Sequence, residues 1–200
     1  MIRRLLYLGL GRGIEVFRSL QSILNFLGSK SLNSQWVVQK YVEKPLLYHK
    51  RKFDIRVWVL VTNKNEVFFY KHGYMRTSSS GYDTKDQNNY VHLTNNCLQK
   101  HVNNYGAFEE GNTLSFQTLE EYLRQEYPKY EIDLEKHIIS RFKDFIIDTY
   151  LAWKKNLNPY KRKNVFELFG YDFLIDEDLR VWLIEVTSHE RSVFLNYRHD

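Results

Sequence analysis

The chain predicts an α+β fold, with a mostly antiparallel sheet and helices packed to one side. Three observations carry this. Short apolar runs alternate with period two and are bounded by turn residues, as half-buried strands do. Two longer stretches carry an apolar stripe at helical spacing. Two hundred residues, 43% hydrophobic and 16% aromatic, suffice for a real core and argue against disorder.

In chain order, Gly9-Leu-Gly-Arg-Gly13 is a glycine-rich turn whose backbone N–H groups suit a phosphate. It matches neither a Walker loop nor a dinucleotide fingerprint. Residues 16–27 are amphipathic and predict a helix, closed by Gly28-Ser-Lys-Ser31. Residues 36–42, 53–62 and 67–74 read as strands, with Asn63-Lys-Asn65 as a turn. Residues 77–90 are polar and turn-rich, hence loop. Residues 116–125 and 134–155 read as helices, and 154–164 as a polar linker. There is no internal repeat, and residues 1–200 read as one domain.

Net charge is +5 and sequence pI ≈ 9.1, with cations clustered at His49-Lys-Arg-Lys52 and Lys161-Arg-Lys163. Such patches attract an acidic partner, although a solvated basic face is the commoner outcome. Cys97 is the only cysteine, which excludes an intrachain disulfide and suits a reducing compartment. No apolar run is long enough for a bilayer, and the first ten residues lack a cleavage site. The expectation is a cytoplasmic protein away from membranes.

The final stretch, 166–187, reads as two strands around a short polar turn, each with one carboxylate among aliphatics. If the turn centres on Asp178-Leu179, Asp172 falls opposite Glu185 and both share a face. Adjacent carboxylates repel unless a cation sits between them. Mg²⁺ is commonly held by one or two carboxylates together with substrate phosphates. The alternative is a hairpin whose acids point to water. In residues 51–61, Phe53, Ile55, Val57 and Val59 take one face while Lys52, Asp54 and Arg56 take the other. Cation, anion, cation on one face suits the floor of a phosphate cleft, or equally an exposed face of self-pairing charges. Arg76 and the cluster His92-Leu-Thr-Asn-Asn96 are further candidates for the same cleft.

Several segments in one order resemble the tubulin–tyrosine ligase and tubulin–tyrosine ligase-like family. They are Val38-Gln-Lys-Tyr-Val-Glu-Lys-Pro-Leu-Leu47, Arg51-Lys-Phe-Asp-Ile-Arg-Val-Trp-Val-Leu-Val61, Tyr74-Met-Arg-Thr-Ser-Ser79, Val91-His-Leu-Thr-Asn-Asn-Cys-Leu-Gln-Lys100, Asn104-Tyr-Gly106 and the closing hairpin. The match covers residues 36–186, and residues 104–112 look closer to the tyrosine ligase than to the polyglutamylase branches. The resemblance implies an ATP-grasp fold and an ATP- and Mg²⁺-dependent ligase. It would join a free amino acid (Tyr, Glu or Gly) to tubulin's acidic C-terminal tails through an acyl phosphate. It implies that Gln39, Lys40, Tyr41 and Val42 hold adenine by their backbone, and that Lys52, Asp54, Thr94 and Asn95 contact the nucleotide. Arg56 and Arg76 would face the transferred phosphate, and Asp172, Glu185 and Thr187 would hold Mg²⁺. A monomer acting on microtubules, in cytoskeleton or cilium, follows from the same resemblance. The positive charge agrees with steering an acidic tail.

Thr187 stands where the family has Asn, and no Lys precedes the glycine turn. Both ends read as truncated or altered. The alternative function is therefore an impaired relative that binds acidic tails or microtubules without turnover. A nucleic-acid binder, suggested by charge alone, has no recognition motif to support it, so no nucleic-acid partner is expected.

Overall fold

The computed structural model describes residues 3–7, 14–30, 36–86 and 88–188, with only the main chain for 3–7 and for Tyr130. The glycine turn 9–13 and the residues after Ser188 lie outside the described residues. The elements are, in order, β1 (Arg3–Tyr7), β2 (Glu15–Phe17), α1 (Leu20–Gly28), β3 (Trp36–Lys40), β4 (Leu47–Tyr48), β5 (Arg51–Thr62), β6 (Val67–Phe69), β7 (Tyr74–Gly81), α2 (Asn89–His92), α3 (Asn96–Gln99), β8 (Thr113–Ser115), α4 (Phe116–Glu126), α5 (Ser140–Leu157), β9 (Phe166–Ile175) and β10 (Val181–Ser188). Every pairing whose register is defined is antiparallel, so the predicted α+β class with a mostly antiparallel sheet holds.

The chain forms two compact units. One gathers the residues up to Phe53, Arg76–Asn112 and Asp176–Asp178; the other gathers Asp54–Met75, Thr113–Ile175 and the residues from Leu179 onward.

In the first unit β1 lies between β2 and β3, which are both outer strands. The segment read as a helix over 16–27 starts instead as strand β2, paired with β1 from Arg3↔Phe17 to Leu5↔Glu15. The helix begins only at Leu20, after Ser19 accepts the Ser22 N–H at 3.1 Å. A capping side chain replaces the missing intrahelical partner there. Phe26 packs on Phe17 and Trp36 with ring centroids 5.2 Å apart in each case, which seats α1. The predicted loop 77–90 is strand as far as Gly81. Its buried Thr77, Ser78 and Ser79 find partners for their polar atoms: Ser78 Oγ donates to Tyr90 O (3.0 Å), and the Ser79 N–H donates to Gln99 Oε1 (2.8 Å). Buried polar atoms are tolerated on such terms.

The second unit is a sheet with helices on one face. β5 pairs β9 from Ile55↔Phe173 to Thr62↔Phe166, β9 pairs β10, and β6 pairs β5. The predicted strand 67–74 is broken after Phe69 and resumes at Tyr74. Gly73 is required in that break, because a Cβ there would stand 2.8 Å from Val57 Cγ1 and 2.9 Å from Arg56 O. Alternation in β5 follows the sequence reading, with Ile55, Val57, Val59 and Val61 buried. On that face Phe173 stacks on Phe142 of α5 at 4.4 Å, with Tyr171 6.1 Å from Phe173. Leu119, Leu123, Ile138 and Ile146 are buried in the same unit. The helix predicted for 134–155 has one π-helical turn, Glu135–Ile139, before α5 begins, and α5 runs to Leu157 into the predicted linker.

Candidate functional site

The residues singled out from sequence are divided between the two units and form a cluster in each.

In the second unit, the face of the sheet away from the helices carries Arg56 on β5, Asp172 on β9 and Glu185 on β10. The register sets them in one row, with Arg56↔Asp172 and Glu185↔Asp172. The expected pairing of Asp172 with Glu185 is therefore present, but a uniform hairpin does not produce it. From Val181↔Ile175 to Leu183↔Phe173 the ladder is one residue out of that register, and a bulge between Leu183 and Glu185 shifts it. Side chains alternate with period two, so one inserted residue moves all that follow to the other face. Without the bulge Glu185 and Thr187 would join the helix-packed face.

Arg56 and Asp172 form a two-pronged pair. Nε donates to Oδ1 and Nη2 to Oδ2, the latter at 3.0 Å. Asp172 is buried. The guanidinium also lies 5.2 Å from the Trp58 ring centroid, a cation–π contact. It occupies space that Gly170 leaves open: a Cβ at Gly170 would meet Arg56 Nη1 at 2.5 Å and Thr187 Oγ1 at 3.1 Å. Gly170 was missed in the sequence, although an isolated glycine in a strand run is the signal for such close approach. Thr187 donates to Gly170 O at 3.3 Å, Glu185 is exposed, and Asp54 is half-buried.

The two carboxylates, with a hydroxyl one row along, are hard oxygen donors of the kind Mg²⁺ takes. The buried Asp172 already needs a cation and has one in Arg56, so the donor set fits the ion. Among the described residues no group of three or more His, Cys, Asp or Glu side chains is gathered for a metal.

In the first unit Lys52 is buried and donates to Tyr41 Oη at 3.0 Å and to the His92 carbonyl at 2.8 Å. Its ammonium lies 4.5 Å from the Tyr41 ring centroid. Gln39 and Lys40 end β3, an outer strand, while Tyr41 and Val42 follow it. Thr94 and Arg76 are buried. Asn95 is the N-cap of α3, its Oδ1 accepting the Cys97 N–H at 2.8 Å, so that oxygen is engaged locally.

Sequence reasoning missed a second cluster in this unit. Arg51 is gripped by Glu109 through two bonds of 2.7 and 2.8 Å. It lies 4.4 Å from the Phe108 ring centroid. Thr77 Oγ1 also donates to Glu109. Burial pushes the Glu109 carboxyl up, but the Arg51 and Thr77 hydrogen bonds outweigh it and hold it below the usual carboxylate range. Asn112, at φ 51°, donates to Thr77 O (3.0 Å) and Ser79 Oγ (2.8 Å) and accepts from the Gly106 N–H (2.8 Å). The segment 104–112 is thus strapped to β7.

An arginine paired with a buried carboxylate, and a buried lysine bonded to a phenol and a main-chain oxygen, are groups of the kind that receive phosphate or carboxylate. The family model described as "Tubulin-tyrosine ligase family" matches residues 8–189, and the chain belongs to that family. Over 186 residues it is 38% identical to "Tubulin glycylase 3C" of Tetrahymena thermophila, covering 89% of this chain and 17% of that protein. It is 39% identical over 184 residues to "Tubulin glycylase 3A" of Drosophila melanogaster, covering 89% and 18%. With "Tubulin monoglycylase TTLL3" of Homo sapiens it shares 35% over 188 residues, covering 89% and 24%. The chain therefore spans less than a quarter of the length of these relatives. No helix among the described residues is long and apolar enough to cross a membrane.

Proposed function

We propose that this chain carries the ATP-dependent ligase chemistry of a tubulin-modifying enzyme and that glycine is the amino acid joined. The relatives described above are named tubulin glycylases or a tubulin monoglycylase, which favours glycine over the tyrosine and glutamate left open by the sequence. The observation that carries the chemistry is the row Arg56–Asp172–Glu185.

The reaction has two steps. A side-chain carboxylate of the tubulin tail attacks the γ-phosphorus of ATP, and the bond to the bridging oxygen breaks, giving acyl phosphate and ADP. The glycine amine then attacks the acyl carbon, phosphate leaves, and an amide forms with loss of one proton from nitrogen. When bound, Mg²⁺ would neutralise phosphate oxygens from Asp172, Glu185 and Thr187. Arg56 moves its guanidinium from Asp172 toward the transferred phosphoryl group. Arg76 holds the incoming carboxylate, and Lys52 with Asp54 contacts the nucleotide. Gln39 and Lys40 at the end of β3, with Tyr41 and Val42 after it, serve adenine by their backbone, with Thr94 and Asn95 beside the nucleotide. Catalysis on this reading is charge neutralisation and positioning, without an enzyme nucleophile.

A second reading has one observation in its favour. Thr187 replaces the family's Asn, and its hydroxyl is turned to Gly170 O, so the chain would bind acidic tails without turnover. The deciding experiment offers tubulin, Mg·ATP and labelled glycine, glutamate or tyrosine in parallel. Incorporation of glycine above the other two is expected. Incorporation of none of them, with tail binding retained, supports the second reading; glutamate or tyrosine alone contradicts the glycine assignment.

A further inference from the structure

We propose that His92 is a positioning residue for Lys52, acting through the Tyr41 hydroxyl; this rests on the reading of Lys52 as a nucleotide contact. With His92 neutral, the hydrogen-bond chain has one consistent direction. The Asp86 main-chain oxygen lies 2.8 Å from His92 Nε2 and can only accept, so Nε2 carries a proton. A neutral imidazole protonated there presents Nδ1 as an acceptor. Tyr41 Oη lies 3.0 Å from Nδ1, so the phenol donates to it. The phenolic oxygen is then left to accept from Lys52 Nζ at 3.0 Å. His92 contributes a second time through its own carbonyl, which accepts from Lys52 Nζ at 2.8 Å.

An ammonium has three donors in fixed tetrahedral directions. Anchoring two of them, on Tyr41 Oη and His92 O, sets the direction of the third. Both anchors are neutral oxygens. The surroundings hold the relay still. Tyr41 and His92 are buried and meet edge to face at 5.6 Å, with the Tyr82 ring also edge to face with His92 at 6.0 Å. Tyr82 is itself tied by its hydroxyl to Glu43 O at 2.9 Å. The acceptor end is held by Arg18, whose Nη2 donates to Thr84 O and Asp86 O at 3.0 and 3.2 Å.

Two substitutions separate this role from a merely structural one. His92→Asn keeps an acceptor near the Nδ1 position, whereas His92→Gln keeps a donor near the Nε2 position and removes the acceptor facing Tyr41. The readout is the Kd of the Mg complex of a non-hydrolysable ATP analogue, with ligand-free thermal unfolding of each variant alongside. His92→Gln and Tyr41→Phe are expected to weaken binding by about 10-fold, as loss of a hydrogen bond that orients a charged group does. His92→Asn is expected to stay within about 3-fold of wild type on the same scale. If wild type binds and all three variants match it, or if Asn and Gln are equally impaired, the positioning role is overturned while the nucleotide reading stands. If wild type binds no nucleotide, the functional reading falls and takes this proposal with it. Nitrogen-15 spectra of His92 in ligand-free wild type supply a check that needs no variant to fold. The Nε2–H tautomer is expected, and the Nδ1–H tautomer would overturn the relay.

Discussion

At Gly170 the absence of a side chain does chemical work, because the space is filled by the Arg56 guanidinium. Gly170→Ala forces Nη1 to shift, which loosens the guanidinium's pair with the buried Asp172. Urea unfolding should show a loss of about 2 kcal/mol, the scale of hydrogen bonds to a charged group. A loss under about 0.5 kcal/mol, the size of a neutral surface change, would mean the guanidinium re-forms its pair elsewhere. Asp172, Glu185 and Arg56 were legible in the sequence because charges interrupt an apolar alternation. Gly170 was not, because a glycine in a strand announces that something approaches without saying what.

Among the elements, the β10 bulge and the strapped segment 104–112 decide what the faces present. Deleting Ile184 removes the extra residue, so Glu185 follows Leu183 directly and still falls opposite Asp172, now in a regular ladder. The expected result is a chain that still responds to Mg²⁺ with nucleotide; cooperative unfolding without that response would show that the bulge itself, and not only the row of charges, is needed. The Glu109 clamp predicts a pH effect with a definite sign. Its folded carboxyl is held below the unfolded value, so its stabilisation is present above the unfolded pKa and is lost as pH falls through the folded one. Glu109→Gln should cost about 3 kcal/mol at neutral pH, because Arg51 is left buried without its counter-charge. That difference should shrink once pH falls below about 4.3, the ordinary Glu value. Unfolding at pH 7 and about pH 3 measures it, and a difference that does not change with pH contradicts the clamp. This clamp escaped the sequence reading for a physical reason. Thr77-Ser-Ser-Ser80 has loop composition, and its strand character depends on partners at Tyr90, Gln99, Glu109 and Asn112. Local propensity cannot register bonds made that far along the chain. Strand β2 was misread as helix for the same reason, since its partner β1 supplies what its own residues do not.

Across the whole molecule, each unit has its own core. Phe142, fully buried and stacked on Phe173, anchors the helices of the second unit to its sheet. Phe142→Ala should cost about 3–5 kcal/mol, the usual penalty for emptying a buried aromatic site, and a loss below about 1 kcal/mol would mean the site collapses to fill it. The α+β class and the antiparallel hairpin were readable because burial follows alternation in β5 and because two apolar runs flank a polar turn at the end of the chain. The net charge of +5 is a property of the same scale. Association with an acidic peptide should weaken as salt rises, and salt-independent binding would assign that contact to apolar residues instead. The most direct measurement of the central claim is thermal unfolding of the 200-residue chain with and without Mg·ATP, beside Asp172→Asn. With ligand about a hundredfold above its Kd, one-site binding stabilises by roughly 2.7 kcal/mol, which raises Tm by roughly 5–10 °C for a domain near this size. The account predicts that shift in wild type and its loss in Asp172→Asn. A cooperative transition unmoved by Mg·ATP in wild type would contradict it.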